Sequence, residues 1–289
     1  MTIAALIVEY RSPEKTAICV SSLLAGDGCD LALVVDNSDD EGDTASRLMQ
    51  LLENDPRVIM LSAQGNIGFA AGVNLGLEHL RQSQDVSRVL VINNDAVAEH
   101  GVVIALAAAL QDHSRAALAF PAIVHAGSLI GEIYYHKWLA TVLSRPGWGR
   151  FQVPRGCCFM LALDRWRGSL FDERFFMYGE EIELGWRLRN EDALVFVPGC
   201  LVQHEGSGSS VRGSDFYEEH TAAAHWLLSR VLTAPGWERV AIAGSRALAI
   251  VARSLIRALR ARNISPLRGV WNGWWRARRQ WSMRTRTAN

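Results

Sequence analysis

Four short apolar runs limit most strongly what this chain can fold into. Ile3 to Tyr10, Leu31 to Val35, Val58 to Leu61 and Val89 to Ile92 are dense in branched residues, and each is of strand length. Helical signals lie between them. Ser12-Pro13-Glu14 opens a stretch carrying Ile18, Leu23 and Leu24, where Ser12 is expected to cap the helix and Pro13 to sit in its first turn. Thr44 to Leu52 and Ala70 to Leu80 read as two further helices. Strands that are apolar on both faces and alternate with helices predict an α/β fold, a mostly parallel central sheet flanked by helices. The 289 residues, 49% of them hydrophobic, suffice for a sizeable core without disulfides or a structural metal. Five cysteines lack zinc-ribbon spacing and two of them, Cys157 and Cys158, are adjacent, which suits a reducing compartment.

The second half is less regular. Arg145 to Arg155 reads as a Gly/Pro-containing linker, Gly156 to Leu163 as a buried strand or helix start, and Ala193 to Val197 as a strand ending at Pro198-Gly199. A catalytic domain is expected over residues 1–238 and a helical tail over 239–289.

Charge divides the same way. The formal net charge is zero, yet from Arg239 onward there are 12 Arg and no Lys, Asp or Glu. The body is therefore acidic and the tail basic, a balance that speaks to partners rather than to fold. In the tail's first stretch Arg246, Arg253, Arg257 and Arg260 share one helical face, and Ile242, Leu248, Val251, Leu255 and Leu259 populate much of the other. That helix is expected either on the body or on a second subunit, which leaves a homo-oligomer open. Trp271 to Trp281 interleaves four Trp with Arg, a pattern suited to an anionic membrane surface. Nucleic acid is disfavoured, because the acidic body repels a polyanion and no recognition module accompanies the tail. The start of the chain shows no basic n-region, and no apolar run reaches 18 residues, so neither a signal peptide nor a membrane span is expected.

Open α/β sheets bind ligands outside the carboxyl ends of their strands, where Asp36 and Asp95 stand. The turn after the first strand, Glu9-Tyr10-Arg11-Ser12-Pro13, has none of the glycines of a dinucleotide fingerprint, and no phosphate loop is present. A bound diphosphate would need another holder, such as a divalent cation on Asp95. His204, six residues beyond Pro198, is a second candidate ligand for that ion or a phosphate partner; a structural role is the plain alternative. The tract Glu205 to Ser210 reads as a lid or as an ordinary surface loop. Glu180, Glu181 and Glu183 form an acidic cluster at a helix start, where adjacent carboxylates raise one another's pKa and suit one to take a proton. A charged, capped helix with a Glu183–Arg187 pair is the other reading.

Four blocks in order give the chain a family resemblance: Val35-Asp36-Asn37-Ser38, Asn66 to Gly76, Ile92-Asn93-Asn94-Asp95, and Phe175 to Leu184, followed by His204. Together they resemble an inverting family 2 glycosyltransferase with the GT-A fold, in the subgroup similar to bacterial rhamnosyltransferases, over residues 2–210. The resemblance implies that Asp36 contacts the donor nucleoside and that the block carrying Asn66, Gly68 and Asn74 packs beside the nucleotide. It also implies that Asn94 and Asp95 belong to a relaxed Asp-X-Asp element with Asp95 on Mg2+ or Mn2+, and that His204 is a metal or diphosphate ligand. Arg155 is a candidate near the diphosphate. Glu181 stands where the family commonly has an aspartate base, and Glu183 replaces another aspartate, so Glu180 and Glu183 stay alternatives for the base. Glu9 and Arg11 depart from the family pattern without an evident role. The implied partners are a dTDP-, UDP- or GDP-linked sugar, with dTDP-rhamnose first, and a lipid-linked or cell-surface glycan, which suits a cytoplasmic enzyme peripheral to the inner face of the cell membrane. A non-catalytic nucleotide- or membrane-binding protein on the same fold is the competing expectation.

Overall fold

The expected strands and helices of the first half are present in a computed structural model of the chain, which describes residues 2–26, 28–83, 85–206, 213–233 and 236–287. They run β1 (Thr2–Glu9), α1 (Pro13–Ala25), β2 (Leu31–Asp36), α2 (Asp43–Leu51), β3 (Val58–Ser62), α3 (Phe69–Gln82) and β4 (Val86–Ile92). Then follow β5 (Ala96–Ala98), α4 (Val102–Asp112), β6 (Leu118–His125), β7 (Ser128–Ile130), β8 (Ile133–His136), β9 (Thr141–Leu143), β10 (Arg150–Val153) and β11 (Cys158–Ala162). The remainder is α5 (Glu180–Leu188), β12 (Leu194–His204), α6 (Asp215–Val231), α7 (Trp237–Ala261) and α8 (Ser265–Thr287). The chain forms two compact units, one of Met1–Glu132, Pro154–Phe171 and Leu188–Ser209, the other of Ile133–Val153, Asp172–Arg187 and Ser210–Asn289.

The first unit is built on a sheet of order β3-β2-β1-β4-β11-β6-β12-β5, with β7 beside β6. β3, β2, β1 and β4 are mutually parallel, as are β6 and β12, while β11 runs antiparallel between β4 and β6. Ala4 to Ile7, Ala32 to Val35 and Val89 to Ile92 are almost fully buried, the consequence of helices covering both faces. β2 and β4 lie on opposite sides of β1, so the winding reverses there and a crevice opens beyond Glu9, Asp36 and Ile92.

Helix α3 sits unusually close to this sheet. A methyl group on Gly76 would lie 2.3 Å from Leu6 Cδ1, and one on Gly72 would lie 3.1 Å from Val8 Cγ1. Two glycines four residues apart share one helix face, and that face rests on β1 and β2. The glycine-rich stretch is thus a packing surface.

Three expectations need correction. Pro198-Gly199 does not end a strand: β12 continues to His204, with three residues looped out between Val197, opposite Pro121, and Leu201, opposite Ala122. Proline removes one ladder donor, and the bulge absorbs the defect. Arg145 to Arg155 is not simply a linker, because Arg150–Val153 pairs with β8. Ser12 makes no side-chain cap. The Glu9 carboxylate instead accepts from Ser12 N at 2.5 Å and from Thr16 Oγ1, and so holds the start of α1. All five cysteines are free thiols.

The second unit combines the antiparallel sheet β10-β8-β9 with α6, α7 and α8 around a core that includes Tyr135, Phe151, Phe175, Leu227 and Leu228. It takes in α6 as well as the two helices beyond residue 238. α8 approaches α6 through Gly269 and Gly273, where a methyl on Gly273 would stand 2.7 Å from Ala222 Cβ. α7 is oriented against its own pattern. The face that carries Arg246 is the buried one, with Ile242, Ile250, Ser254 and Ala258, while Arg257 and Arg260 stay exposed: Arg246 has no exposed surface, and its guanidinium donates to Ser229 Oγ, Tyr135 Oη and the carbonyls of Lys137 and His225 at 2.9 to 3.1 Å. Arg253 donates to the carbonyls of Leu139 and Ala140. These hydrogen bonds to backbone carbonyls and hydroxyls hold the two arginines inward. The leucines of the opposite face are left outside.

Candidate active site

In the first unit the strand ends converge on a polar cluster. Asp36, at the end of β2, is register-paired with Glu9 at the end of β1, and its Oδ1 accepts from Ser38 N at 2.9 Å. Glu9 is fully buried. Its carboxylate also accepts from Asn94 Nδ2 at 3.1 Å, and Asn94 donates in turn to Thr16 Oγ1. Burial pushes the Glu9 carboxyl up to about 7; the donors Ser12 and Asn94 oppose that rise, and the neighbouring charge of Asp36 adds to it. Asn94 therefore ties the β4–β5 turn to α1. Arg11 has a left-handed backbone, with φ of 50°, and closes the same rim by donating its N–H to Ser38 Oγ and its guanidinium to Asp39 O. The two residues that depart from the family pattern, Glu9 and Arg11, are the ones that fix this turn.

Asp95 and His204 meet because β5 pairs antiparallel with the last residues of β12, His204 opposite Ala96. His204 Nε2 lies 3.1 Å from Asp95 Oδ1 and 3.4 Å from Asn93 Nδ2, and the Asp95 side chain is almost completely buried. Glu205 N donates to Asp95 O, and the Glu205 carboxylate pairs with Lys15 at 2.8 Å. Among the described residues no group of three or more His, Cys, Asp or Glu side chains forms a complete metal cage. One carboxylate and one imidazole do fit a divalent ion that completes its shell with phosphate oxygens and water, the usual arrangement where a metal is shared with a phosphorylated substrate.

The Asn66 block divides into two tasks. Asn66 is exposed and its Oδ1 accepts from Gly68 N at 3.1 Å; Gly68, with φ of 86°, then caps α3, and its carbonyl accepts from buried Asn37. The left-handed value at Gly68 explains the glycine. Asn74 points elsewhere. Its Oδ1 accepts from the backbone N–H groups of Leu170 and Phe171, and its Nδ2 donates to Phe171 O, so it clamps the chain after β11. Arg155 Nη2 donates to Gly131 O at 3.3 Å.

The glutamates belong to the second unit. Tyr178 and Gly179 both have positive φ, and this kink starts α5 at Glu180. Glu180 is buried, and that burial, reinforced by the adjacent Glu181 charge, raises its carboxyl well above the usual range, and it hydrogen-bonds to Glu181. Glu181 is half-buried and accepts from Gly179 N at 3.1 Å. Glu183 is committed to Arg187 at 2.9 Å, and burial outweighs that partner in lifting its pKa. The tract expected as a lid falls mostly outside the described residues.

Comparison with known proteins follows the same lines. The family model described as glycosyl transferase family 2 matches residues 5–165. No curated protein sequence matches at a significant level. Among solved structures, a mannosyltransferase, PcManGT from Pyrobaculum calidifontis in complex with GDP-Man and Mn2+, aligns with a TM-score of 0.59 at 11% identity, covering 95% of this chain and 86% of that one. GalNAc-T7 with UDP, GalNAc and Mn2+ aligns with a TM-score of 0.57 at 13% identity, over 78% of this chain and 47% of that one, so this chain spans about half of that structure. S. aureus TarS 1-349 gives a TM-score of 0.55 at 12% identity, over 89% of this chain and 74% of that one. At these identities the likeness speaks for the fold.

Proposed function

The chain belongs to glycosyl transferase family 2 and has the GT-A fold, and from that premise we propose that it transfers a sugar, with inversion, from a nucleotide diphosphate to a hydroxyl of a lipid-linked or cell-surface glycan. The proposed donor is dTDP-rhamnose and the proposed place of action the inner face of the cell membrane. The reading is carried by Asp95 Oδ1 and His204 Nε2, 3.1 Å apart beyond the sheet's switch point. Two of the similar structures hold Mn2+ together with a nucleotide or nucleotide sugar. Asp95 and His204 would hold Mg2+ or Mn2+ here, and the chemistry such an ion supplies is neutralisation of charge on the departing diphosphate. Asp36 is proposed to bind the nucleoside. Asn66 and Gly68 shape the wall beside it, and Asn74, Asn94 and Arg155 hold backbone and turn in place.

Inverting transfer needs one carboxylate base, which takes the acceptor hydroxyl proton as that oxygen attacks the anomeric carbon. Glu181 is proposed for this role. Glu183 is neutralised by Arg187, and burial pushes Glu180 toward its protonated form, so Glu180 is proposed to orient Glu181 by donating to it. Turnover assays with dTDP-rhamnose and UDP- and GDP-sugars, each with Mg2+ or Mn2+, test the reading. Expected are turnover with dTDP-rhamnose, its loss on chelation, and its loss in Asp95→Asn. No turnover of any donor overturns the transferase reading; turnover of another donor alone overturns only the rhamnose assignment.

A further inference from the structure

The outer face of α7 is apolar along its whole length. Trp237, Val240, Leu248, Val251, Leu255 and Leu259 are all exposed, Leu248 by 77% and Leu259 by 70%. At 100° per residue these six fall within about one third of the helix circumference and form a stripe roughly 33 Å long. Water is a poor solvent for such a stripe, and singly scattered surface leucines do not produce one.

Val240 also lines a cavity of about 360 Å3 among α6, α7 and α8. Trp226 and Trp274 form part of its wall, and Arg230, Arg239 and Arg278 enter its lining, which contains no acidic residue. The charge around the stripe indicates the occupant. From Arg239 to the end there are 12 Arg and no acid. Only some are internally matched: Arg257 pairs with Glu218 and Arg276 with Glu219, whereas Arg260, Arg262, Arg268, Arg278 and Arg279 are exposed. At its Val240 end the stripe meets Arg230, Arg239 and Arg278 around that cavity, where a second copy would bring arginine against arginine. Apolar surface that adjoins a cluster of arginines matches acyl chains beneath anionic headgroups.

We infer that α7 lies flat on an anionic phospholipid membrane, its outward stripe among the acyl chains and Arg230, Arg239 and Arg278 on headgroup phosphate. No described helix is long and apolar enough to cross a membrane, so this is surface attachment by these residues. The inference rests on the lipid-linked acceptor reading only for its purpose. Its test reads binding alone, which keeps the two failures distinguishable.

Flotation of the full chain is measured with phosphatidylcholine vesicles and with vesicles containing about 30% phosphatidylglycerol. The chain is expected to float with the anionic vesicles, and the Leu248→Glu/Leu255→Glu double variant to lose roughly tenfold or more of that binding. Far-UV circular dichroism and donor turnover in detergent should stay unchanged, since both leucines are exposed and neither belongs to the proposed site. The Arg239→Gln/Arg278→Gln pair should abolish the preference for anionic over neutral vesicles. A wild-type chain that stays with neither vesicle, or a leucine variant that binds like wild type, overturns the inference. So does a concentration-dependent dimer that the leucine variant disrupts, for then a second copy covers the stripe.

Discussion

At the scale of single residues the two neighbouring glutamates carry the sharpest expectation. Burial and the neighbouring Glu181 charge push Glu180 toward its protonated form, and glutamine reproduces a protonated carboxyl in shape and in its ability to donate. Glu180→Gln should therefore keep turnover within a few-fold, while Glu181→Gln should lose on the order of 100-fold or more in kcat with donor binding retained. Steady-state kinetics and donor titration on both variants check this, and the opposite ranking would make Glu180 the base. Glu9 supplies a pH signature. Its carboxyl is raised from 4.5 to about 7 by burial, so between those values the folded chain keeps a proton that the unfolded chain releases. Stability should fall as pH rises from about 4.5 to about 7 and change no further from this cause, a loss on the order of 3 kcal/mol. Urea unfolding across that window should show the slope in the wild type and not in Glu9→Gln. Arg246 is the structural counterpart, a buried cation held only by neutral acceptors. Arg246→Ala removes four buried hydrogen bonds and should cost about 3 kcal/mol, read as a shift in the urea midpoint at constant slope.

At the scale of elements, close approach is what the glycines provide. Gly76→Ala would drive a methyl into Leu6 in a strand with no slack, and an overpacked core costs about 1–3 kcal/mol. Gly273→Ala should cost at least as much, because the obstructing atoms include the α6 backbone at Ala223 N and Glu219 O, which cannot rotate away. Thermal unfolding of the two variants measures both effects. The bulge in β12 belongs to this scale as well. By looping out Pro198 to Cys200 it lets the strand reach His204 in register with β5, and that register brings the imidazole to Asp95.

At the scale of the whole molecule, the metal and the donor should act as one ligand. On the proposed function Mn2+ with a nucleoside diphosphate should bind only the folded chain, and saturation to about 100 times the dissociation constant should add roughly 2.7 kcal/mol of stability. The melting temperature should rise with both present, rise little with either alone, and not respond in Asp95→Asn. An equal rise in that variant would remove Asp95 from the site.

Much of this protein was legible from residue order, because local chemistry has a short range. Uniformly apolar runs had to be buried strands, Pro13 had to open a helix, and Asp36 and Asp95 had to stand at strand ends, all for reasons contained within about ten residues. The parallel half of the sheet followed. Contacts across the chain decided the rest. Nothing near Glu9 announces that Asn94, 85 residues away, will donate to it, and nothing near Asn74 announces the backbone at Leu170 and Phe171. The tail shows the limit most clearly: its periodicity set Arg246 and Arg253 apart from the leucines of α7 but misplaced Ile242, which is buried beside Arg246, and which face turns inward depended on carbonyls at Lys137, Leu139 and Ala140, more than 100 residues earlier. Hydrophobic pattern is a property of a segment, whereas hydrogen-bond satisfaction is a property of whatever that segment meets, and for α7 the second prevailed.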